Sequence, residues 1–135
     1  MKVKNIVIEQ SIGSLDELLT MPIPAILAME LARAAIKIKE QSKAIGLVRQ
    51  SLMTKHGLTV GIENGTPAIV SKEKCKEKEL IEKIEAYAIE FNEVLEQDSE
   101  DLSIVKIAIP TEIDGKPLSI KSKILMDLEP FVEVK

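Results

Sequence analysis

The chain has 135 residues, of which 45% are hydrophobic, so it is long enough to form one globular domain, residues 1–135, with a modest core. Its net charge is −4 and its only arginines are Arg33 and Arg49, which disfavours nucleic acid as a partner because phosphate binding needs clustered basic residues. With no Trp, one Tyr and two Phe, the core has to be filled by aliphatic side chains. This composition favours helix packing over a thick β-sandwich.

Membrane and secretory segments are not expected. No apolar run approaches the roughly 18 residues that a membrane helix needs, and the first residues lack the apolar core of a signal peptide. Cys75 is the single cysteine, so an intramolecular disulfide is excluded. We therefore expect a cytoplasmic protein with no membrane partner.

The N-terminal region is predicted to form a strand and then a short helix. Val3–Ile8 is a short β-favouring run, which indicates the strand. Ser14 resembles an N-cap, with Asp16 and Glu17 in the first turn, where the helix dipole favours anions. The short helix is predicted to run from there to about Thr20, before the prolines that follow.

A long helix is predicted over residues 24–56. Pro24 suits the first helical position, and Gly57 is a candidate for the left-handed residue that follows the last turn. Side chains along this helix recur at alternating spacings of 4 and 3, which predicts one narrow stripe that a partner helix must cover. We call this stripe the first seam: Leu27, Leu31, Ala34, Ile38, Gln41, Ile45, Val48 and Leu52.

Residues 58–70 are predicted to form a β-hairpin. Apolar and polar residues alternate there, Asn64-Gly65 favours a type I′ turn, and Pro67 makes the return strand an edge. Ser71 is predicted to cap a second long helix over 71–97, which carries the second seam at the same spacing: Leu80, Ile84, Tyr87, Phe91 and Val94.

The two seams can cover each other if the chain folds back at the hairpin. The predicted fold is therefore α+β, with a long antiparallel, coiled-coil-like helical hairpin, a β-hairpin between its helices and a small β/α segment at the C-terminus. A chain of this size cannot cover both seams and an edge strand completely, so we expect the seams also to build a homo-oligomer, at least a dimer.

The C-terminal segment, residues 102–135, is predicted to contain a strand at Val105–Ile109, a turn at Asp114-Gly115, a short helix and a final strand beside the first. Three large apolar residues share one side of the short helix and its exit: Leu125, Leu128 and Phe131. They are interpreted either as docking on the long helices or as contacting a partner protein.

Enzymatic chemistry is not indicated. Nucleophilic catalysis of the Ser-His-Asp or Cys-His type needs a histidine, and His56 is the only one. It lies beside the glycine that ends the first long helix, where a protonated imidazole offsets the helix dipole. The glycines are scattered one by one, which excludes a phosphate-binding loop. We predict no catalytic residue, no metal site and no cofactor.

Polar residues on the long helix leave two questions open. Gln41 interrupts the first seam, where a polar residue can fix register or oligomeric state, and it can equally lie at the edge of the seam. Arg33 and Arg49 are candidates for contacts with a small anion if they converge at a subunit interface.

Six short segments carry a resemblance over nearly the whole chain. They are Leu15-Asp16-Glu17-Leu18-Leu19, Ile23-Pro24-Ala25, Lys55-His56-Gly57, Phe91-Asn92-Glu93-Val94-Leu95, Ile107-Ala108-Ile109-Pro110 and Leu125-Met126-Asp127-Leu128-Glu129-Pro130-Phe131. Through them the chain resembles short uncharacterised proteins of tailed phages and prophages of Gram-positive bacteria. The resemblance implies a bacterial host cell as the setting, and it implies no activity and no site.

The order helix, β-hairpin, helix over residues 24–97 is similar to that of prefoldin-type chaperone subunits. In those subunits the hairpins assemble into a shared barrel and the coiled coils protrude from it. The N-terminal segment and residues 102–135 depart from that pattern.

Three hypotheses about function follow. The first is a non-enzymatic phage or prophage accessory protein, a homo-oligomeric interaction module that assists assembly or inhibits a host protein. The second is a prefoldin-like holdase chaperone. The third is a sponge that binds a small anionic ligand at a subunit interface.

Overall fold

Four helices and three two-stranded sheets make up the α+β structure, a computed structural model that describes residues 1–135. The mixed class predicted from the sequence is confirmed. The helices are α1 (Asn5–Leu19), α2 (Ala25–Lys55), α3 (Glu77–Glu96) and α4 (Ser122–Asp127). The strands are β1 (Leu58–Glu63), β2 (Thr66–Ser71), β3 (Ile107–Ile109), β4 (Glu112–Ile113), β5 (Lys116–Pro117) and β6 (Val132–Val134).

The chain divides into two compact units. The first unit comprises Met1–Lys43 and Asp98–Lys135, and the second comprises Ala44–Gln97. The prediction of a single domain stays a prediction, and each unit is described by itself. None of the helices has both the length and the apolar character that crossing a membrane requires.

Helix α1 replaces the strand predicted at the N-terminus. The prediction of a strand over Val3–Ile8 is wrong, because the helix begins at Asn5 and buries Ile8, Leu15 and Leu18 along one face. A short aliphatic run fits a strand and a buried helical turn equally well, and here tertiary burial decides for the helix. Before the helix, the backbone pairs with the chain that follows α3: Lys4 forms an isolated bridge with Asp98, and the Ser99 amide donates to the Val3 carbonyl at 2.6 Å.

Ser14 is not an N-cap. It lies inside α1, is buried, and donates a hydrogen bond from Oγ to Oδ2 of Asp127 at 2.6 Å. This bond lowers the pKa of the Asp127 carboxyl below its usual range, and Lys123 acts in the same direction. Because Asp127 is the last residue of α4, the bond ties α4 to α1, and these two helices pack together.

Helix α2 lies within one residue at each end of the helix predicted over 24–56. Gly57 follows it with φ +69°, the left-handed conformation expected after a helix end. In the first unit this helix buries four residues of the first seam: Leu27, Leu31, Ala34 and Ile38.

The second unit contains the β-hairpin. β1 and β2 pair antiparallel, and both turn residues have positive φ, 51° at Asn64 and 77° at Gly65, as a type I′ turn requires. The second long helix does not begin at Ser71, which is the last residue of β2. The Lys72 amide donates to the Gly57 carbonyl at 2.9 Å and prolongs the strand pairing by one residue. Helix α3 begins at Glu77.

A small cluster closes the second unit around the chain's scarce aromatic residues. Met53, Leu58 and Tyr87 are buried, and the rings of Tyr87 and Phe91 stack with centroids 5.8 Å apart. The half-buried residues around them are Leu52, Ile69, Leu80, Ile84 and Phe91. The last turns of α2, the hairpin and α3 therefore share one core.

The C-terminal segment completes the core of the first unit. β6 pairs with β3, as expected from the sequence. The pairing is parallel, with Ile107 opposite Val132, and β3 begins at Ile107 and not at Val105 as predicted. Leu128 is fully buried, Phe131 is 1% exposed and Leu125 is half-buried. A second type I′-like turn at Asp114-Gly115, with φ 54° and 76°, joins β4 to β5.

Replacing Phe131 by alanine tests how much the C-terminal segment contributes to stability. The substitution empties a buried aromatic site, and we expect the free energy of unfolding to fall by about 3 to 5 kcal/mol. Met126→Ala is the matched control, because Met126 is exposed on the neighbouring helix and should change stability by less than about 0.5 kcal/mol. Urea unfolding measures both, and equal losses would contradict this role for Phe131.

Ser14→Ala tests the bond between α1 and α4. Without the hydroxyl donor we expect the pKa of Asp127 to rise toward its ordinary value, as measured by NMR titration of the carboxyl. A carboxyl with a depressed folded pKa stabilises the fold above its unfolded pKa, and this contribution is lost as the pH falls through the folded pKa.

The stability difference between wild type and Ser14→Ala should therefore shrink in acid. Ser51→Ala, at an exposed position of α2, should leave both measurements unchanged. An unchanged Asp127 pKa in Ser14→Ala would show that the bond does not form.

Candidate functional site

Helix α2 carries a second stripe, which faces away from the core. Its members again recur at spacings of 3 and 4, and we call it the outer face: Ile26, Met29, Arg33, Ile36, Glu40 and Lys43. All six are exposed, and the three apolar side chains are exposed by 78% at Ile26, 54% at Met29 and 61% at Ile36. Aliphatic side chains aligned on one helix face and left in water are typical of a contact surface.

The first seam is mostly covered within the chain itself. Leu27, Leu31, Ala34 and Ile38 are buried in the first unit, and Ile45 is buried as well. Leu52 is half-buried in the cluster of the second unit, whereas Val48 is exposed. Side chains that one copy already buries do not present a free seam to a second copy.

The second seam is divided in the same way. Tyr87 is buried, Leu80, Ile84 and Phe91 pack against the cluster of the second unit, and Val94 is half-buried. The assignment of either seam to an oligomer interface stays a prediction.

The side chain of Gln41, which interrupts the first seam, has a hydrogen-bond partner within the chain. Its side-chain Nε2 donates to Oδ1 of Asn5 at 3.2 Å, and Asn5 is buried in α1. The neighbouring Ser42 donates to Glu9 at 3.2 Å. Both contacts join α2 to α1, so the polar interruption of the seam connects two helices of the same unit.

A groove in the first unit lies between α2 and the chain just before β3. Its volume is about 450 Å³, and three basic side chains, Arg33, Lys37 and Lys106, line it with one acid, Glu30. The remaining lining residues are Ala34, Ser103, Ile104, Val105 and Ile107. In a chain with net charge −4, this basic groove is a local concentration of positive charge over an apolar floor.

Of the three basic side chains of the groove, only Lys37 is hydrogen-bonded within the chain. The Lys37 ammonium donates to the Ser103 carbonyl at 2.8 Å, which fixes the chain to α2 at one end of the groove. Arg33 and Lys106 form no hydrogen bond or ion pair within the chain, and both are exposed. They are therefore available to an anionic partner.

Arg49, the other candidate for an anion contact, lies in the second unit. Its guanidinium carbon is 5.7 Å from the centre of the Phe91 ring, where it makes a cation–π contact. Arg33 belongs to the groove of the first unit. Each unit contains one of the two arginines, so neither unit holds both of them in one site.

A charged cluster at the end of α2 was missed by the sequence analysis. Glu90 accepts hydrogen bonds from Lys55 at 2.8 Å and contacts His56 Nε2 at 3.0 Å. The Lys55 ammonium lowers the pKa of the Glu90 carboxyl, and His56 acts in the same direction. The histidine thus pairs with α3 across the second unit, in addition to its place at the helix end.

Comparison with known proteins adds no relative. No family model, no curated protein and no solved structure matches the chain.

Gln41→Leu distinguishes the observed contact from a role in register. A polar residue that only specifies register destabilises an apolar seam, so its replacement by leucine would raise stability. Loss of the bond to Asn5 should instead lower the free energy of unfolding by about 1 kcal/mol. Thermal and urea unfolding of the full chain give the sign, and a gain in stability would contradict the structural role.

Proposed function

We propose that the protein is a non-enzymatic interaction module that forms a homo-oligomer through the outer face of α2. In this proposal it is an accessory protein of a phage or prophage that acts in the host cytoplasm, as an assembly factor or as an inhibitor of a host protein. The exposure of Ile26, Met29 and Ile36 on one helix face carries the proposal of self-association. The phage setting rests on the sequence resemblance alone.

The charges between these apolar residues favour a second copy of the same chain as the occupant. An antiparallel crossing centred between Ile36 and Lys37 would bring Arg33 of each copy opposite Glu40 of the other. It would also bring Lys43 opposite Glu30, a groove residue that lies next to Met29 of the outer face. A parallel, in-register pair would face like charges with like. The outer face is therefore self-complementary in the antiparallel orientation.

The interface offered by one helix face is small. Stable interfaces bury about 800 Å² per partner, and three exposed aliphatic side chains with two kinds of charge pair fall short of that. We therefore expect a dimer that dissociates on dilution, as is typical of a regulated or transient assembly.

The second unit supports a finer proposal about the fold. The last turns of α2 and helix α3 share the cluster around Tyr87, on either side of the β-hairpin. We propose that they act as a short helical hairpin. The sequence predicted a coiled-coil-like hairpin over all of residues 24–97. In this proposal the helical hairpin is confined to the second unit, because the first part of α2 belongs to the first unit.

A prefoldin-like holdase is the second candidate, and the β-hairpin favours it. Val60 and Ile62 are exposed on β1, and the hairpin forms a sheet of only two strands. Hairpins with open edges and exposed aliphatic residues could assemble into a shared barrel. In that case Ile62→Ser, and no substitution on α2, would abolish the oligomer.

Charge reversal on the outer face tests the antiparallel dimer. Arg33→Glu and Glu40→Arg should each weaken self-association by roughly five- to ten-fold, since two-fold symmetry repeats every change, and the double variant should restore it. The two residues lie roughly 10 Å apart along their own helix, so restoration requires contact between copies. Sedimentation equilibrium over a range of concentrations measures the association.

Two further variants serve as references. Ile36→Glu should leave the protein monomeric at all concentrations, because a carboxylate would replace a central apolar contact. Lys74→Glu, at an exposed position of the second unit, should associate like wild type. Single reversals without effect, or a double variant weaker than either single one, would refute the antiparallel arrangement.

A further inference from the structure

We infer that the basic groove binds an extended acidic segment of a partner protein, which adds as a strand to the open edge of β3. This inference concerns a partner other than a second copy. Arg33 belongs to both the outer face and the groove, so an acidic segment and a second copy would compete for this side chain. Strand addition is a common mode of peptide recognition, in which main-chain hydrogen bonds supply affinity and side-chain contacts supply specificity.

The first argument is the unpaired backbone of β3, whose first residue, Ile107, lines the groove. β3 has a single neighbour, β6, in a two-stranded sheet. The Ile107 amide donates to the Phe131 carbonyl at 2.9 Å, and the Ile109 carbonyl accepts from the Lys135 amide at 3.0 Å. Because alternate residues of a strand bond to the same side, the backbone groups of Lys106 and Ala108 point away from β6.

The residues before β3 extend this open edge. No hydrogen bond from the amides of Ile104, Val105 or Lys106 is formed within the chain. These residues line the groove, and Val105 is 83% exposed. Because neighbouring amides of an extended chain point to opposite sides, the Ile104 and Lys106 amides, and not all three, are the donors available to one added strand.

The second argument is charge. Arg33 and Lys106 line the groove without any partner in the chain, and Lys37 adds a third positive charge. A segment with carboxylates would gain charge-assisted hydrogen bonds from the guanidinium and the ammonium groups. A basic segment would meet like charges, so the groove discriminates in favour of acidic sequences.

The third argument is the floor of the groove. Ala34, Ile104 and Ile107 supply apolar surface below the basic side chains. Successive side chains of a strand point to opposite sides, so a segment in which acidic and aliphatic residues alternate can direct one set to the floor and the other to the basic residues. The groove has room for several such residues, since its volume is about 450 Å³.

Fluorescence anisotropy with the full-length protein tests the inference. The probe is a labelled synthetic peptide in which glutamate and valine alternate, compared with a peptide that has lysine for glutamate. A third peptide is N-methylated at every backbone nitrogen, which removes all of its backbone hydrogen-bond donors and keeps the charge. We expect the first peptide to bind, and the other two to bind at least about ten-fold more weakly.

Protein variants locate the binding. Lys106→Glu should weaken binding of the acidic peptide by about ten-fold or more, because it replaces a cation of the groove by an anion. Lys116→Glu makes the same change at an exposed position outside the groove and should bind like wild type. Circular dichroism confirms that both variants are folded before they are compared.

Several results would overturn the inference. Equal binding of the methylated and unmethylated acidic peptides would mean that charge attracts them without strand addition. If, in addition, inorganic phosphate fully displaced the peptides, the groove would be a site for small anions. Absence of binding would exclude the groove as a peptide site. A loss of self-association in Lys106→Glu would mean that a second copy of the chain occupies the groove. Self-association through the outer face should instead be sensitive to substitution of Glu40.

Discussion

The burial of one face of α2 under an aliphatic core is the constraint on which the first unit depends. Leu31 and Ile38 are fully buried there, and each such side chain contributes about 1.5 to 3 kcal/mol relative to exposure. With almost no aromatic residues, the chain has to meet this requirement with many aliphatic contacts. Those contacts use one side of the helix, and the opposite side keeps Ile26, Met29 and Ile36 in water. The proposed function depends on this second, uncovered face.

Contacts within the first unit also position β3, whose first residue lines the groove. Ser14 of α1 binds Asp127 of α4, and the chain after α4 returns through Phe131 to place β6 beside β3. A parallel pair of two strands satisfies only one side of each, so the edge of β3 that faces away from β6 stays open. The same packing that stabilises the C-terminal segment therefore provides the backbone surface to which we assign an acidic partner.

Prediction from the sequence succeeded where the signal was local. Pro24, Gly57 and Asn64-Gly65 fix the ends of α2 and the turn of the hairpin through their own backbone preferences, and these elements appear where expected. It failed for α1, because Ile6, Val7 and Ile8 suit a strand and a helix alike. Ser71 is a residue type that often caps helices, but here it is the last residue of β2. It pairs with Leu58, at the other end of the hairpin, and this pairing is not visible in the local sequence. The outer face has the same residue spacing as the first seam, and only their burial in the structure distinguishes the two. The groove could not be predicted either, because it brings together Arg33 and Lys106, which are far apart in the sequence.

The most direct test of the account compares the oxidation of two methionines by hydrogen peroxide at increasing protein concentration. Met29 lies on the outer face and Met126 on α4, and both are exposed in one copy, so both should oxidise at similar rates in dilute protein. If the outer face joins two copies, oxidation of Met29 should slow as the concentration rises, while oxidation of Met126 stays constant. Mass spectrometry of peptides resolves the two sites. Equal rates at Met29 and Met126 across all concentrations would contradict the claim that the outer face of α2 is an interface between copies of this chain.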